Sequence, residues 1–283
     1  DFMNDNPLAK HFRQPKLYIQ FPSKGNFYPD DSLEETETGD YPIFAMTAKD
    51  ELTIKTPDAL LNGQATVSVI QSCVPNIKNA WHVPSIDIDA ILIAIRIATY
   101  GEKMEITFNI KEIDEERTFE VDLRTVLDQL GSESYENMIN TDTVQFEIAP
   151  LSYKYFTQIA MKSFEEQRLF AAVNDDSLTD EEKLEKFNES FSRITDLNIF
   201  NVTRSVIAVK FPGEDTVTHA GHIVEFFNNT DKSIYSTVIK HLDQERDKFT
   251  VKPFKVTLPQ EDIERGAPEE ILIPITFDQS NFF

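Results

Sequence analysis

Pro84-Ser85-Ile86-Asp87-Ile88-Asp89-Ala90-Ile91-Leu92-Ile93-Ala94-Ile95-Arg96-Ile97-Ala98-Thr99-Tyr100-Gly101 is the stretch on which the fold turns. Ile88, Ile91, Leu92, Ile95 and Ala98 recur at three and four spacing, the period of one helical face. Asp87 and Asp89 fall in the first turn, where a carboxylate meets the positive end of the helix dipole. Gly101 stands where a helix commonly ends. Ile91, Ile93, Ile95 and Ile97 also alternate as a strand would, but the end signals and the length favour a buried helix over about residues 86–100.

Upstream, residues 64–73 read as a helix that stops before Pro75. Thr56-Pro57-Asp58-Ala59-Leu60-Leu61 starts another, with Thr56 as cap and Pro57 at the first helical position. Downstream, residues 104–110 and 119–123 read as strands around the polar insert 111–118. Residues 254–258 and 271–277 repeat that shape around 259–270, so two β-hairpins with acidic tips are expected, a module duplicated in pattern rather than in identity. Between them the chain is helical over about 150–173 and again from the capping box of Thr179 and Glu182, with the polar residues 174–177 making the two an antiparallel helical hairpin. A strand over 202–211, closed by Pro212-Gly213, and helices over about 218–227 and 231–249 follow.

Residues 1–40 are punctuated by Pro7, Pro15, Pro22 and Pro29, each of which removes a donor and pushes its predecessor towards extended geometry. They read as an extended N-terminal arm whose last part, residues 30–40, is a solvated acidic loop before a strand at 42–46. The expected class is α+β. An arm over 1–40 leads to an α+β domain with its buried helix and hairpin over 41–148, and a mostly helical domain over 149–283 ends in the second hairpin and an aromatic tail.

The 283 residues carry 27 Lys and Arg against 49 Asp and Glu, a formal net charge of −22. Phosphates have to be met by clustered cations, so this balance excludes a broad nucleic-acid or anionic-membrane surface. No stretch approaches the ~20 consecutive apolar residues of a membrane span, and the opening residues lack the build of a signal peptide, so synthesis in the cytoplasm is expected. A hydrophobic share of 40% places the chain among folded proteins. The lone Cys73 cannot form an internal disulfide, and five His give no zinc framework.

Candidates for chemistry are few. His219, His222 and Glu225 form an H-x-x-H-x-x-E pattern, but the helical metalloprotease motif needs His at i and i+4 with Glu directly after the first, and Gly221 weakens the helix there. A polar helix entry is the favoured reading. Cys73 with His82 is the only nearby thiol and base pair, and a buried small hydrophobe is the ordinary role of a lone thiol. Trp81 reads equally as a core anchor or a contact residue. Carboxylates are too abundant to single out an acid and base pair, and none of the eight glycines cluster into a phosphate-cradling loop. No catalytic residue, cofactor or metal is expected. Aromatic residues instead gather at the two ends, and Phe12, Leu17, Tyr18, Phe27, Tyr28, Phe282 and Phe283 are the candidate interface residues, because fraying ends order when aromatic anchors dock. The competing reading folds both ends back on their own core. On the first reading, a chain lacking its first thirty residues is expected to keep a folded core but to lose incorporation into its assembly.

Several strings carry a resemblance. Phe12-Arg13-Gln14-Pro15-Lys16-Leu17-Tyr18, Pro22-Ser23-Lys24-Gly25-Asn26-Phe27-Tyr28-Pro29, Met46-Thr47-Ala48-Lys49-Asp50-Glu51, Thr56-Pro57-Asp58-Ala59-Leu60-Leu61-Asn62-Gly63, Ser72-Cys73-Val74-Pro75-Asn76-Ile77 and Ala94-Ile95-Arg96-Ile97-Ala98-Thr99-Tyr100-Gly101 resemble the baseplate hub protein family of T4-like contractile-tailed bacteriophages. The ending Ile275-Thr276-Phe277-Asp278-Gln279-Ser280-Asn281-Phe282-Phe283 is similar as well. The likeness is dense over about residues 12–125 and thin from there to about 250. Relatives place Cys-x-x-Cys pairs in the hairpin loops, whereas residues 109–118 and 259–270 here contain no cysteine, so no zinc carries over. The resemblance implies a non-enzymatic structural component of the virion tail baseplate that binds other tail proteins, the tape-measure protein among them. The alternative it leaves open is a transient assembly chaperone for the tape-measure or hub proteins that is absent from the mature virion.

Overall fold

The computed structural model describes residues 6–56, 63–172, 178–277 and 282–283. The strands β1 (Pro15–Ile19) and β2 (Tyr41–Phe44) lead into the helices α1 (Ala48–Ile54), α2 (Gln64–Cys73) and α3 (Ser85–Tyr100). The hairpin β3 (Lys103–Ile110) and β4 (Glu115–Asp122) is followed by α4 (Leu123–Ser132), β5 (Met138–Asn140) and β6 (Gln145–Ile148). Then come α5 (Tyr153–Ala172), α6 (Asp180–Ser205), β7 (Val206–Lys210), α7 (Ala220–Asn229) and α8 (Lys232–Lys248). The chain closes with β8 (Phe254–Thr257), α9 (Gln260–Glu264) and β9 (Glu270–Ile273). Helices with small antiparallel sheets of two or three strands make the class α+β.

The helix α3 forms the axis of the front core, with Ile91, Ile93 and Ile95 fully buried and Gly101, at φ 95, turning the chain out of it. Burial on nearly every side explains why the isoleucines also alternate. Around α3 pack α2, β2 and the residues before it. In β1, Leu17 pairs with Ile43 and Ile19 with Tyr41, and just beyond the strand the ring of Phe21 stacks on Tyr41 at 4.2 Å. Ile19 and Phe21 are buried, so residues 15–28 of the expected arm are wall rather than tether. Alternation in Leu17 and Ile19 lets a short strand pair, and Pro15 and Pro22 sit at its limits, where a missing donor does little harm. Cutting away thirty residues would remove this wall along with the arm. The helix start at Thr56 falls on residues 57–62, outside those described.

A second core surrounds the sheet β5–β6–β7, where Phe146 is fully buried against Val202, Val209 and Phe227. The boundary expected at 148 falls inside this sheet, because β6 takes β7 as its partner. The strand expected over 202–211 begins only at Val206: the helical ladder of α6 continues, and the N–H of Val206 still donates to the carbonyl of Val202. The capping box of Thr179 and Glu182 is formed, with both reciprocal bonds present. The connection expected over 174–177 lies outside the described residues.

The two hairpins share a third core of Ile110, Leu258, Ala267, Ile271 and Ile273, each such fully buried Ile or Leu contributing about 1.5–3 kcal/mol. They differ in build: the tip of the first is only residues 111–114, and the second encloses α9. Pro274 removes a donor where β9 ends. Among the described residues no helix is long and apolar enough to cross a membrane.

Candidate functional site

Two buried carboxylates fasten the start of the chain to the front core. The N–H of Ser23 donates to Asp87 Oδ1 at 2.7 Å, its hydroxyl donates to Oδ2 at 2.6 Å, and the hydroxyl of Tyr28 donates to Oδ2 at 2.9 Å. Burial pushes the Asp87 carboxyl up to about 6, with the bonds from Ser23 and Tyr28 pulling the other way. Burial, followed by the charge of Asp87, raises the Tyr28 phenol well above its ordinary value. The second fastener is Arg13, which donates from Nη2 to the carbonyl and hydroxyl of Ser72 at 2.6 and 2.7 Å, from Nη1 to Asp50 at 3.3 Å, and to the carbonyl of Ala45. Asp50 in turn closes a capping box with Thr47 at the start of α1. Both carboxylates are spent on structure.

The seven candidate interface residues divide. Phe12 and Tyr18 each keep 59% of their surface exposed. Leu17, Tyr28 and Phe283 are partly buried against the front core, and Phe282 lies inside it, its ring meeting Phe277 and Phe283 edge-on. Phe27, held at φ 70, turns its ring onto Tyr135 at 5.3 Å, and Tyr135 meets Phe249 of the back half. The described C-terminal aromatics thus fold back on their own core.

The chemical candidates are placed as follows. Cys73 is fully buried beside Arg13, and burial, then the charge of Asp50, pushes its thiol up to about 12. Its polar neighbour is a guanidinium rather than an imidazole. The rings of His219 and His222 meet at 4.5 Å, tilted 45° to each other, on an exposed helix entry, and Glu225 is exposed one turn on. Among the described residues no three His, Cys, Asp or Glu are grouped to hold a metal. Trp81 stacks on Tyr153 at 5.9 Å, and Gly63, at φ 77, leaves room beside it: a Cβ there would stand 3.3 Å from the indole and 3.0 Å from Thr157. These contacts make Trp81 a core anchor.

Sequence reading passed over a different surface. Phe156 and Phe164 of α5 and Leu184, Phe187 and Phe191 of α6 are exposed, although their spacing is that of an inward helical face. They are divided between the two helices rather than gathered on one.

No curated protein and no solved structure matches the chain. Among protein families, the one described as T4 bacteriophage base plate protein matches residues 33–205, which runs from the acidic loop before β2 through α3, the first hairpin and the whole of α6. That match covers more than half of the chain, and with it the central helix of the front core and both α5 and α6: the protein belongs to the T4 bacteriophage base plate protein family.

Proposed function

We propose that the chain is a non-enzymatic structural component of the hub region of the tail baseplate, working through protein–protein interfaces during tail assembly. The observation that carries this reading is how polar and apolar groups are deployed. The buried carboxylates Asp87 and Asp50 are consumed in fastening the fold, while large apolar side chains stand in solvent at Phe12, Tyr18, Phe164, Leu184 and Phe191. An assembly part presents apolar surface to neighbours. Leu17, Phe27, Tyr28, Phe282 and Phe283 belong to the same proposal as residues that hold the two ends in shape beside those surfaces. The partners are other tail and baseplate proteins, with the tape-measure protein among the candidates, and the site of action is the virion.

Quantitative mass spectrometry of purified, intact tails tests this. Recovery of the chain in fixed ratio to the other baseplate proteins is expected. Absence from finished tails, with presence on assembly intermediates, would replace this reading with that of a transient chaperone.

A further inference from the structure

A cavity of about 450 Å³ opens where the front and back cores meet, between the first turn of α3, α5, the end of α6 and α8. Ile88, Tyr135, Phe156, Leu242 and Phe249 give it an apolar and largely aromatic wall, and Asp89 stands in that wall as a carboxylate. Volume and lining are those of a small-molecule pocket, which holds an apolar body and uses a few polar groups to orient it.

Asp89 is set apart from the other withdrawn carboxylates by what surrounds it. Asp50 has Arg13, Asp262 has Arg117, and Asp87 receives three bonds from Ser23 and Tyr28. Among the described residues, the N–H of Val251 is the only polar group that acts on the Asp89 carboxyl, and no Lys, Arg or His stands against it. Arg246 also lines the cavity, but its Nη2 is held by Asp243 Oδ1 at 2.9 Å, and both side chains of that pair are more than half exposed. A carboxylate withdrawn from water beside an apolar space is destabilising unless a cation or a set of donors answers it. The fold supplies neither here.

We propose that this cavity is a binding site for an ammonium group on a short apolar stem, its charge against Asp89 and its stem among Tyr135, Phe156 and Phe249, whose rings also attract a cation. Two sources carry that chemistry: a free alkyl- or arylalkylamine, and the lysine side chain of another protein. A neutral or anionic molecule of the same size leaves the carboxylate unanswered. The inference goes beyond the assembly reading and does not rest on it.

The test titrates the full chain, by calorimetry, with phenethylammonium, with 2-phenylethanol as its uncharged counterpart, and with the peptide acetyl-Gly-Lys-Gly-amide as the lysine source. A net charge of −22 draws any cation loosely to the surface, so the readout is one saturable site rather than total uptake. Phenethylammonium is expected to fill one site with a dissociation constant of about 1 mM or tighter, and the alcohol to bind at least about tenfold more weakly. Asp89→Asn removes the charge while keeping the shape of the side chain, and should weaken the amine by about tenfold or more. Ala160→Phe, at an exposed position on the cavity's edge, should weaken it likewise by filling the space without touching the carboxylate. Glu185→Gln, at an exposed carboxylate about 24 Å along α6 from Asn201, should leave it unchanged. Peptide binding that Asp89→Asn weakens assigns a lysine side chain as the ligand, and binding of the free amine alone assigns a small molecule. Amine and alcohol binding equally, Asp89→Asn binding like the wild type, or no saturable site for amine or peptide would overturn the proposal.

Discussion

The hydroxyl of Tyr28 donates to Asp87 Oδ2 at 2.9 Å, tying the proline-punctuated start of the chain to the first turn of the helix at the centre of the front core. Tyr28→Phe removes one donor from a buried carboxylate and should cost about 1–3 kcal/mol, read as a lower midpoint in urea. Truncation gives the same information more coarsely. Loss of residues through His11, all exposed where described, should leave the melting temperature nearly unchanged, whereas loss through Pro29 takes away β1, Phe21 and the donors Ser23 and Tyr28 to Asp87 and should abolish the cooperative transition. Equal melting of the two truncations would show that the start of the chain is a loose arm after all.

Asp89 lines a cavity of about 450 Å³ together with Phe156 and Phe249, and burial pushes its carboxyl up to about 6 while the N–H of Val251 pulls the other way. Its folded pKa is above the unfolded value of about 3.9, so the folded state holds the proton more tightly. The stabilisation is complete below about pH 4 and is lost as pH rises through about 6. Asp89→Asn should therefore stabilise the protein at pH 7.5 by about 1–2 kcal/mol, part of the full shift being screened by solvent, and change little at pH 4. Asp87 contributes a slope of the same sign, so a plot of melting temperature against pH should flatten without becoming level. An unchanged slope would contradict this account.

Cys73 supplies a third test. With the thiol pushed up to about 12 and no surface exposed, it should react with an aromatic disulfide reagent at pH 8 only as fast as the core opens, and at once in urea. Arg13→Ala leaves Asp50 and the Ser72 carbonyl without their guanidinium and should cost about 2–4 kcal/mol, with a matching rise in thiol reactivity. Fast stoichiometric labelling of the native protein would revive a nucleophilic role for this cysteine.

The two hairpins are joined by Arg117, which donates to the buried Asp262 at 2.8 and 3.3 Å, with Glu115 and Arg265 completing the cluster. Arg117→Ala takes both hydrogen-bonding donors from a buried carboxylate, leaving it only the more distant Arg265, and should cost about 2–4 kcal/mol, whereas Asp262→Ala in the same background should add little further loss, a coupling that a double-mutant cycle measures. Additive losses would show that the charges do not hold the hairpins together.

The sequence is legible where the signal is local. The end signals and the period of α3 and the capping box of α6 each mark an element from within it. What escapes is decided by partners far along the chain. β1 is a strand because Ile43 and Tyr41 are there to receive it, and β6 takes β7 across the whole of α5 and α6. Period reports that a helix has an apolar face without reporting what covers it. Phe164 therefore reads as an inward residue, yet the buried position two residues on belongs to Glu166, which Arg193 neutralises from the partner helix. The aromatic termini show the same gap: their composition marks them as anchors, and only the fold shows Phe282 anchored to its own core.

The central claim is that this protein works as a fitted part of the baseplate. A cryo-EM map of purified tails tests it most directly. The account predicts density for the front core in the baseplate hub, unchanged around Asp87 and Tyr28, with exposed side chains such as Phe12 and Tyr18 covered by neighbouring polypeptides. A hub fully built from other chains, with no density for this one, would contradict it.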